Sequence, residues 1–259
     1  MSNLNIDFFE EFPGDIKNLE KVKLIDFDST IYIASKNLDE FLEYKKQIKH
    51  LNKKVDCAWW PIIESSYWIS SFSKTEDLEF LLNEFKKYKL KAPLKVLLDL
   101  ELPILKPKLF LKNFFSFRRN KRIIKSIFNN KSINLDIRTA EYPFGGKFMS
   151  FILRIFGVNY SIKKYSHKKI MMYYSSMIPR WMHKGMKKRI VKRHKQLDDN
   201  LQIGLGTIAI GILGNEPILK PKNLESDLKF LIENNIKDIV MFRLGGLDKK
   251  YLKVIKKYN

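Results

Sequence analysis

The 259-residue chain has a single cysteine, 11 glycines and 9 prolines. Cys57 alone cannot form an internal disulfide, which excludes a disulfide scaffold, and Gly and Pro at this level exclude a collagen-like or low-complexity chain. Long apolar runs are missing too. The longest, Phe148 to Val158, is interrupted by Arg154 and reaches about half of the ~20 residues that a membrane-spanning helix needs. The first thirty residues have no basic start followed by an apolar run, so no secretory leader is expected. What remains is a globular chain, 45% apolar, long enough to bury a real core, expected in the cytoplasm as one domain over residues 1–259.

Acidic residues are scarce as well, and unevenly so. Against 49 Lys+Arg stand 28 Asp+Glu, a net charge of +21. From Lys106 to Lys195 there are 24 Lys+Arg and two acids, Asp136 and Glu141, a net +22, whereas the rest of the chain carries 25 against 26, a net −1. One contiguous third holds the whole excess. It interleaves bases with large apolar residues in three stretches, 109–128, 147–165 and 181–195. Basic amphipathic helices rich in Phe and Trp suit an anionic membrane surface, where the apolar face enters the headgroup region and Lys and Arg meet phosphates. A polyanion such as RNA is a second, less favoured partner. The plain alternative puts the Phe, Ile and Leu in the core and the Lys on a solvated face, and three consecutive segments of one sign argue against it.

Periodicity shows what the chain is built from. Short β-branched or apolar runs at 22–27, 55–60, 94–100, 133–139, 169–175, 201–211 and 236–242 alternate with amphipathic segments, one βα unit each. Asn37 with Glu40, and Ser73 with Glu76, have the spacing of capping boxes that open helices. Proline follows five consecutive strands, at Pro61, Pro103, Pro143, Pro179 and Pro217, and marks their exits because it cannot donate to a ladder. Alternating βα units predict a parallel sheet, and seven to eight of them at this length predict a closed (β/α) barrel. The first twenty residues are expected to cap the barrel bottom.

In such a barrel the chemistry sits at the strand C-termini and the loops after them. That selects Asp26, Asp28, Trp59, Trp60, Asp99, Glu101, Arg138, Glu141, Tyr142, Tyr174, Glu216 and Arg243, with Tyr67 and Trp68 nearby. Strand parity places Asp99 and Glu101 on the side opposite Val96, Leu98 and Leu100, and Asp136 with Arg138 opposite Leu135 and Ile137. The polar sides should face the barrel interior. An acidic interior is costly unless paired, so Arg138 and Arg243 have a structural alternative, neutralising Asp99 and Asp136. Glu101, Glu141 and Glu216, nearer the mouth, have less structural reason to be there.

Two Glu at the mouth, Glu101 and Glu141, each followed closely by Pro and set beside Trp59, Trp60, Trp68 and Tyr142, suit glycoside hydrolysis. That reaction needs one protonated and one ionised carboxyl, and flat aromatic faces for sugar rings. Here the chain resembles the TIM-barrel glycoside hydrolases in its βα plan. The resemblance implies a hydrolase of a glycosidic or related bond, with a saccharide substrate, no cofactor, and Glu101 and Glu141 as the catalytic pair; the basic segment 106–195 adds the expectation that the substrate is met at a membrane. Which of the two is acid and which nucleophile stays open.

Two alternatives stand beside this reading. VKLIDFDSTI, 22–31, resembles the first motif of the haloacid-dehalogenase phosphatases, D-x-D-x-T at a strand end. It implies Asp26 as phosphoryl acceptor, Asp28 as acid/base, and Mg²⁺. The other alternative is a non-catalytic barrel that binds anionic membrane or nucleic acid. Imidazole metal ligation is not expected, since His50, His167, His183 and His194 all fall outside strand exits. Gly245 and Gly246 form either a phosphate-binding loop or a tight turn.

Overall fold

The computed structural model describes residues 4–103, 105–130, 132–141 and 147–259. Eight parallel strands close into a barrel in sequence order. They are β1 (Asn5–Glu10), β2 (Ser29–Ser35), β3 (Val55–Pro61), β4 (Leu94–Leu98), β5 (Leu135–Glu141), β6 (Lys168–Tyr173), β7 (Leu201–Gly206) and β8 (Asp238–Phe242). Between them run α1 (Ile16–Leu19), α2 (Leu38–Leu51), α3 (Thr75–Lys87), α4 (Lys108–Lys112), α5 (Phe117–Asn129), α6 (Lys147–Ile155), α7 (Arg180–Leu197) and α8 (Pro221–Glu233), and α9 (Lys249–Ile255) closes the chain.

The first unit differs from the sequence expectation. The N-terminal residues do not cap the barrel. NIDFFE is itself β1, pairing with β2 on one side and β8 on the other. The run 22–27, expected as a strand, instead begins in a 3₁₀ turn (Glu20–Leu24) whose Val22 and Ile25 plug the core. The strand starts only at Ser29. Two apolar alternations lie side by side here, and the earlier one, Ile6 and Phe8 against Asp7 and Phe9, is the one that pairs.

Parity then sorts the side chains. Outward-facing Trp59 stacks on Phe41 of α2 at 6.1 Å and meets Phe85 of α3 edge-on at 5.1 Å. Burying a side chain of this kind stabilises by roughly 1.5–3 kcal/mol. Cys57 lies on the same outer face, and burial pushes its thiol up to about 12. Asn37 caps α2 through its Oδ1, which accepts from the Glu40 amide at 2.9 Å. Ser73 does not cap α3. It accepts from the Ser70 amide instead, and Lys74 stands at the cap.

The barrel interior has three levels. At the bottom, Gln202 donates to Asp7 Oδ2 at 2.8 Å, Tyr32 donates to Gln202 Oε1 at 3.1 Å, and Arg138 donates to Asp136 Oδ2 at 2.8 Å. The middle level is apolar, built from Phe9, Ala34, Ala58, Leu97, Ile170 and Val240. Above it, at the strand exits, stand carboxyl groups.

Candidate active site

The mouth holds a cavity of about 370 Å³ lined by the carboxyls of Glu11, Asp99, Glu101 and Glu216 and by Trp60, Trp68, Tyr174 and Phe242 among others. Each acid is placed by a strand exit. Asp99 and Glu101 continue the inward face of β4 beyond Leu97. The chain there is pinned by the β3–α3 connection, since Ile69 donates to the Asp99 carbonyl and accepts from the Glu101 amide, both at 3.0 Å. Glu11 continues the inward face of β1, and Glu216 comes from the loop after β7.

Glu11 and Glu216 form one pair. Glu11 Oε1 accepts from the Tyr67 hydroxyl at 2.5 Å and Oε2 from the Ile212 amide at 2.9 Å, while Glu216 Oε1 accepts from the Leu213 amide at 3.0 Å. A Cβ on Gly211 would stand 2.7 Å from Glu11 Oε2 and 2.9 Å from Glu216 Oε1, so these two oxygens lie within the sum of those distances, 5.6 Å. Burial raises Glu11 to about 7, with Glu216 adding repulsion against the Tyr67 and Ile212 hydrogen bonds. Tyr67 holds φ at 70°, a left-handed conformation for a non-glycine residue, with its backbone amide and carbonyl both bonded to Ile63, at 2.7 and 2.8 Å.

Asp99 and Glu101 form the other pair. Asp99 is 3% exposed. Burial pushes its carboxyl well above the usual range, and the charges of Glu101 and Glu11 push the same way. The protonated form is thereby favoured, and in that form the carboxyl donates a hydrogen bond. Tyr174 faces the same acids, and burial raises its hydroxyl further. Around these groups the walls are apolar, from Phe9, Met172, Met177, Ile178 and Leu213.

Of the residues selected from sequence, Trp60, Trp68, Asp99, Glu101, Tyr174 and Glu216 therefore meet in one cavity. Others do not reach it. Glu141 ends β5 on the outward face, where Arg193 of α7 clamps both its oxygens at 2.6 and 2.7 Å and Lys169 stands 3.8 Å away. Trp59 is sealed between α2 and α3. Asp26 and Asp28 precede β2 at the opposite end of the barrel, where Asp26 pairs with Lys256 at 2.5 Å, because the strand starts at Ser29. The phosphatase motif thus has neither its strand nor its exit. Among the described residues no group of three or more His, Cys, Asp or Glu could hold a metal ion.

Arg138 belongs to the bottom level with Asp136. Arg243 holds Glu10 at 2.9 Å and not Asp99. The Gly245 amide donates to Glu10 Oε2 at 2.7 Å, so the glycine turn after β8 is a structural loop with its donor engaged. Tyr142 lies outside the described residues.

Sequence reasoning missed Glu11 and gave Tyr67 too little weight. The signal was present. NIDFFEEF alternates like the other strands and ends in an acid, as LLDLEL does.

No protein-family model matches the chain, and no curated protein sequence does. Among solved structures it is similar to the glycoside hydrolase domain of PgaB (BpsB) from Bordetella bronchiseptica, at TM-score 0.56 and 10% identity over 99% of each chain. It is also similar to a GH18 chitinase from Pseudoalteromonas aurantia, at TM-score 0.58 and 12% identity over 98% of this chain and 100% of the other. A third is the Bacillus cereus spore cortex-lytic enzyme SleL, at 0.58 and 10% over 100% of this chain and 75% of the other. The chain shares the TIM-barrel fold of these glycoside hydrolases.

Proposed function

We propose that the chain is a hydrolase of glycosidic bonds acting on a 2-acetamido sugar polymer, with Glu101 as the proton donor. The observation that carries this is the Asp99–Glu101 pair on one inward face of the β4 exit, inside an aromatic-walled cavity. Glycoside cleavage needs an acid to protonate the leaving oxygen while positive charge develops at the anomeric carbon. Asp99, whose burial favours the protonated form, is in that form a poor nucleophile but a good hydrogen-bond donor. The nucleophile is then the substrate's own acetamido carbonyl oxygen, which attacks the anomeric carbon as the bond to the leaving oxygen breaks. Asp99 and the Tyr174 hydroxyl orient that acetamido group. Water later opens the cyclic intermediate, returning its proton to Glu101. Trp60 and Trp68 supply flat faces for the ring. The names of the structural neighbours, a chitinase among them, agree with this substrate class.

We place the substrate at an anionic lipid surface. Leu111, Phe115 and Trp181 are 84, 96 and 82% exposed, on or beside α4 and α7, the elements that follow β4 and β6 on the side where the cavity opens. Exposed Lys108, Lys112, Arg180 and Lys184 stand beside them. Apolar tips among cations suit a headgroup region.

The hydrolase reading is tested with aryl glycosides of N-acetylglucosamine oligomers and of the matching glucose oligomers. Release from the first set alone, abolished in Glu101→Gln, is expected. Cleavage of the glucose set at the same rate would sink the acetamido mechanism. Sedimentation with phosphatidylglycerol but not phosphatidylcholine vesicles, lost in the combined Leu111→Ser, Phe115→Ser and Trp181→Ser variant, tests the lipid reading.

A further inference from the structure

A second concavity, of about 450 Å³, lies outside the barrel, between α5, α6 and the turn that follows α6. Its lining includes the cations Lys121, Lys125, Arg154 and Lys164 with Asn159 and Ser161, and no carboxylate. An adjoining hollow of about 380 Å³ shares Lys121 and Lys125 and adds Arg118 and Arg122. Elsewhere the chain pairs its partly buried cations, Arg193 with Glu141, Arg138 with Asp136 and Arg243 with Glu10. Among the described residues the half-buried Lys121 and Lys125 have no salt bridge, nor have the exposed Arg154 and Lys164.

We infer that this concavity is a binding site for a phosphate group, taken from α5 by Lys125, from α6 by Arg154 and from the following turn by Lys164, around a fixed Lys121. Lys121 is preorganised, since its ammonium donates to the Arg154 and Ile155 carbonyls at 2.7 and 2.6 Å. It stays close to Lys125 although burial and that neighbour both pull its pKa below the usual value. Like charges held together are unfavourable unless an anion joins them. Tyr160, at the wall of the same cavity, is 4% exposed and its hydroxyl has no partner among the described residues.

A phosphate has three or four acceptor oxygens for donors arriving from separate elements, whereas a carboxylate has two. The planar fork of Arg154 suits two of those oxygens, and the Lys ammoniums act as point charges on the rest. The site is independent of the hydrolase reading. Its lining shares no residue with the cavity at the barrel mouth.

The test is calorimetric titration of the full chain with inorganic pyrophosphate at fixed ionic strength. The wild type is compared with the combined Lys125→Gln, Arg154→Gln and Lys164→Gln variant and with Lys253→Gln, an exposed α9 control. Lys121 is left in place because it holds the last carbonyls of α6, and thermal melting verifies that the triple variant folds. Saturable binding that weakens at least about tenfold in the triple variant and is unchanged in the control is expected.

Release of the protein from phosphatidic acid vesicles by pyrophosphate would make the phosphate that of a lipid headgroup. Vesicle binding that saturating pyrophosphate leaves intact would make it that of a free phosphorylated compound. Equal weakening in the control would overturn the site, as would binding that never saturates. A short single-stranded RNA held equally by wild type and triple variant, with no pyrophosphate binding, would overturn it too.

Discussion

Glu141 and Arg193 meet through both carboxylate oxygens, at 2.6 and 2.7 Å, on the outer face of β5, with the buried Lys169 ammonium 3.8 Å away. Burial lowers Lys169 to about 8, and Glu141 works against that shift. Glu141→Gln leaves Lys169 and Arg193 facing each other without their anion. Breaking a buried pair on one side costs about 3–5 kcal/mol, and the partial exposure of Arg193 reduces this to roughly 2–3 kcal/mol. Urea unfolding of the variant should show that loss. A variant as stable as wild type but without activity would restore Glu141 to the chemistry.

That pair also shows where sequence reading stops. The barrel, its parallel sheet and the inward face of β4 were legible, because βα alternation and strand parity are local properties of the chain. The same alternation, carried on to Glu141, sets it opposite Asp136 and Arg138, but its place at a strand end beside a proline points instead to the mouth. Asp26 and Asp28 were misplaced because VKLIDF and NIDFFE carry equal apolar alternation, and only pairing across the closed barrel chooses between them. Glu11 ends an alternation, NIDFFEEF, that is local and visible, but its meeting with Tyr67 and Gly211 joins three separate connections, and no local pattern encodes that.

Glu11 makes folding stability depend on pH. Its folded value of about 7 lies above the ordinary 4.5, so the folded state holds a proton that the unfolded state has released between those values. The contribution is fully present below about 4.5 and is lost as pH rises through 7. Glu11→Gln should flatten the stability curve across this window by about 1–3 kcal/mol relative to wild type. Unfolding free energies at pH 5 and pH 8 measure it, and an unchanged difference between the two would show that Glu11 ionises normally.

Asp99 should be replaceable without harm to the fold. Because burial favours its protonated form, Asp99→Asn changes neither charge nor volume by much, and stability at pH 7 should stay within about 1 kcal/mol. Turnover should fall by about 10²-fold or more, since the amide orients the substrate's carbonyl less well than an acid. A melting temperature raised by many degrees would reveal an ionised Asp99 in the wild type.

Gly211 lets the loop after β7 come down onto the acids. A Cβ there would stand 2.6 Å from the Phe242 ring, 2.7 Å from Glu11 and 2.9 Å from Glu216. These contacts are closer than any stable packing allows, and the neighbours are the cavity's own lining. Gly211→Ala should therefore push the loop outward, costing about 1–3 kcal/mol of stability and separating the Ile212 amide from Glu11. With that hydrogen bond gone, the Glu11 carboxyl rises further, because the contact is one of three influences, with the Tyr67 hydroxyl and the Arg243 charge, that hold it down. Hydrolysis should weaken mainly through substrate binding, read as a raised KM with a smaller change in kcat, since Asp99 and Glu101 follow β4, where Ile69 pins the chain, and are not part of the loop. Equal loss in both constants would tie Gly211, and through it Glu11, to the bond-breaking step itself.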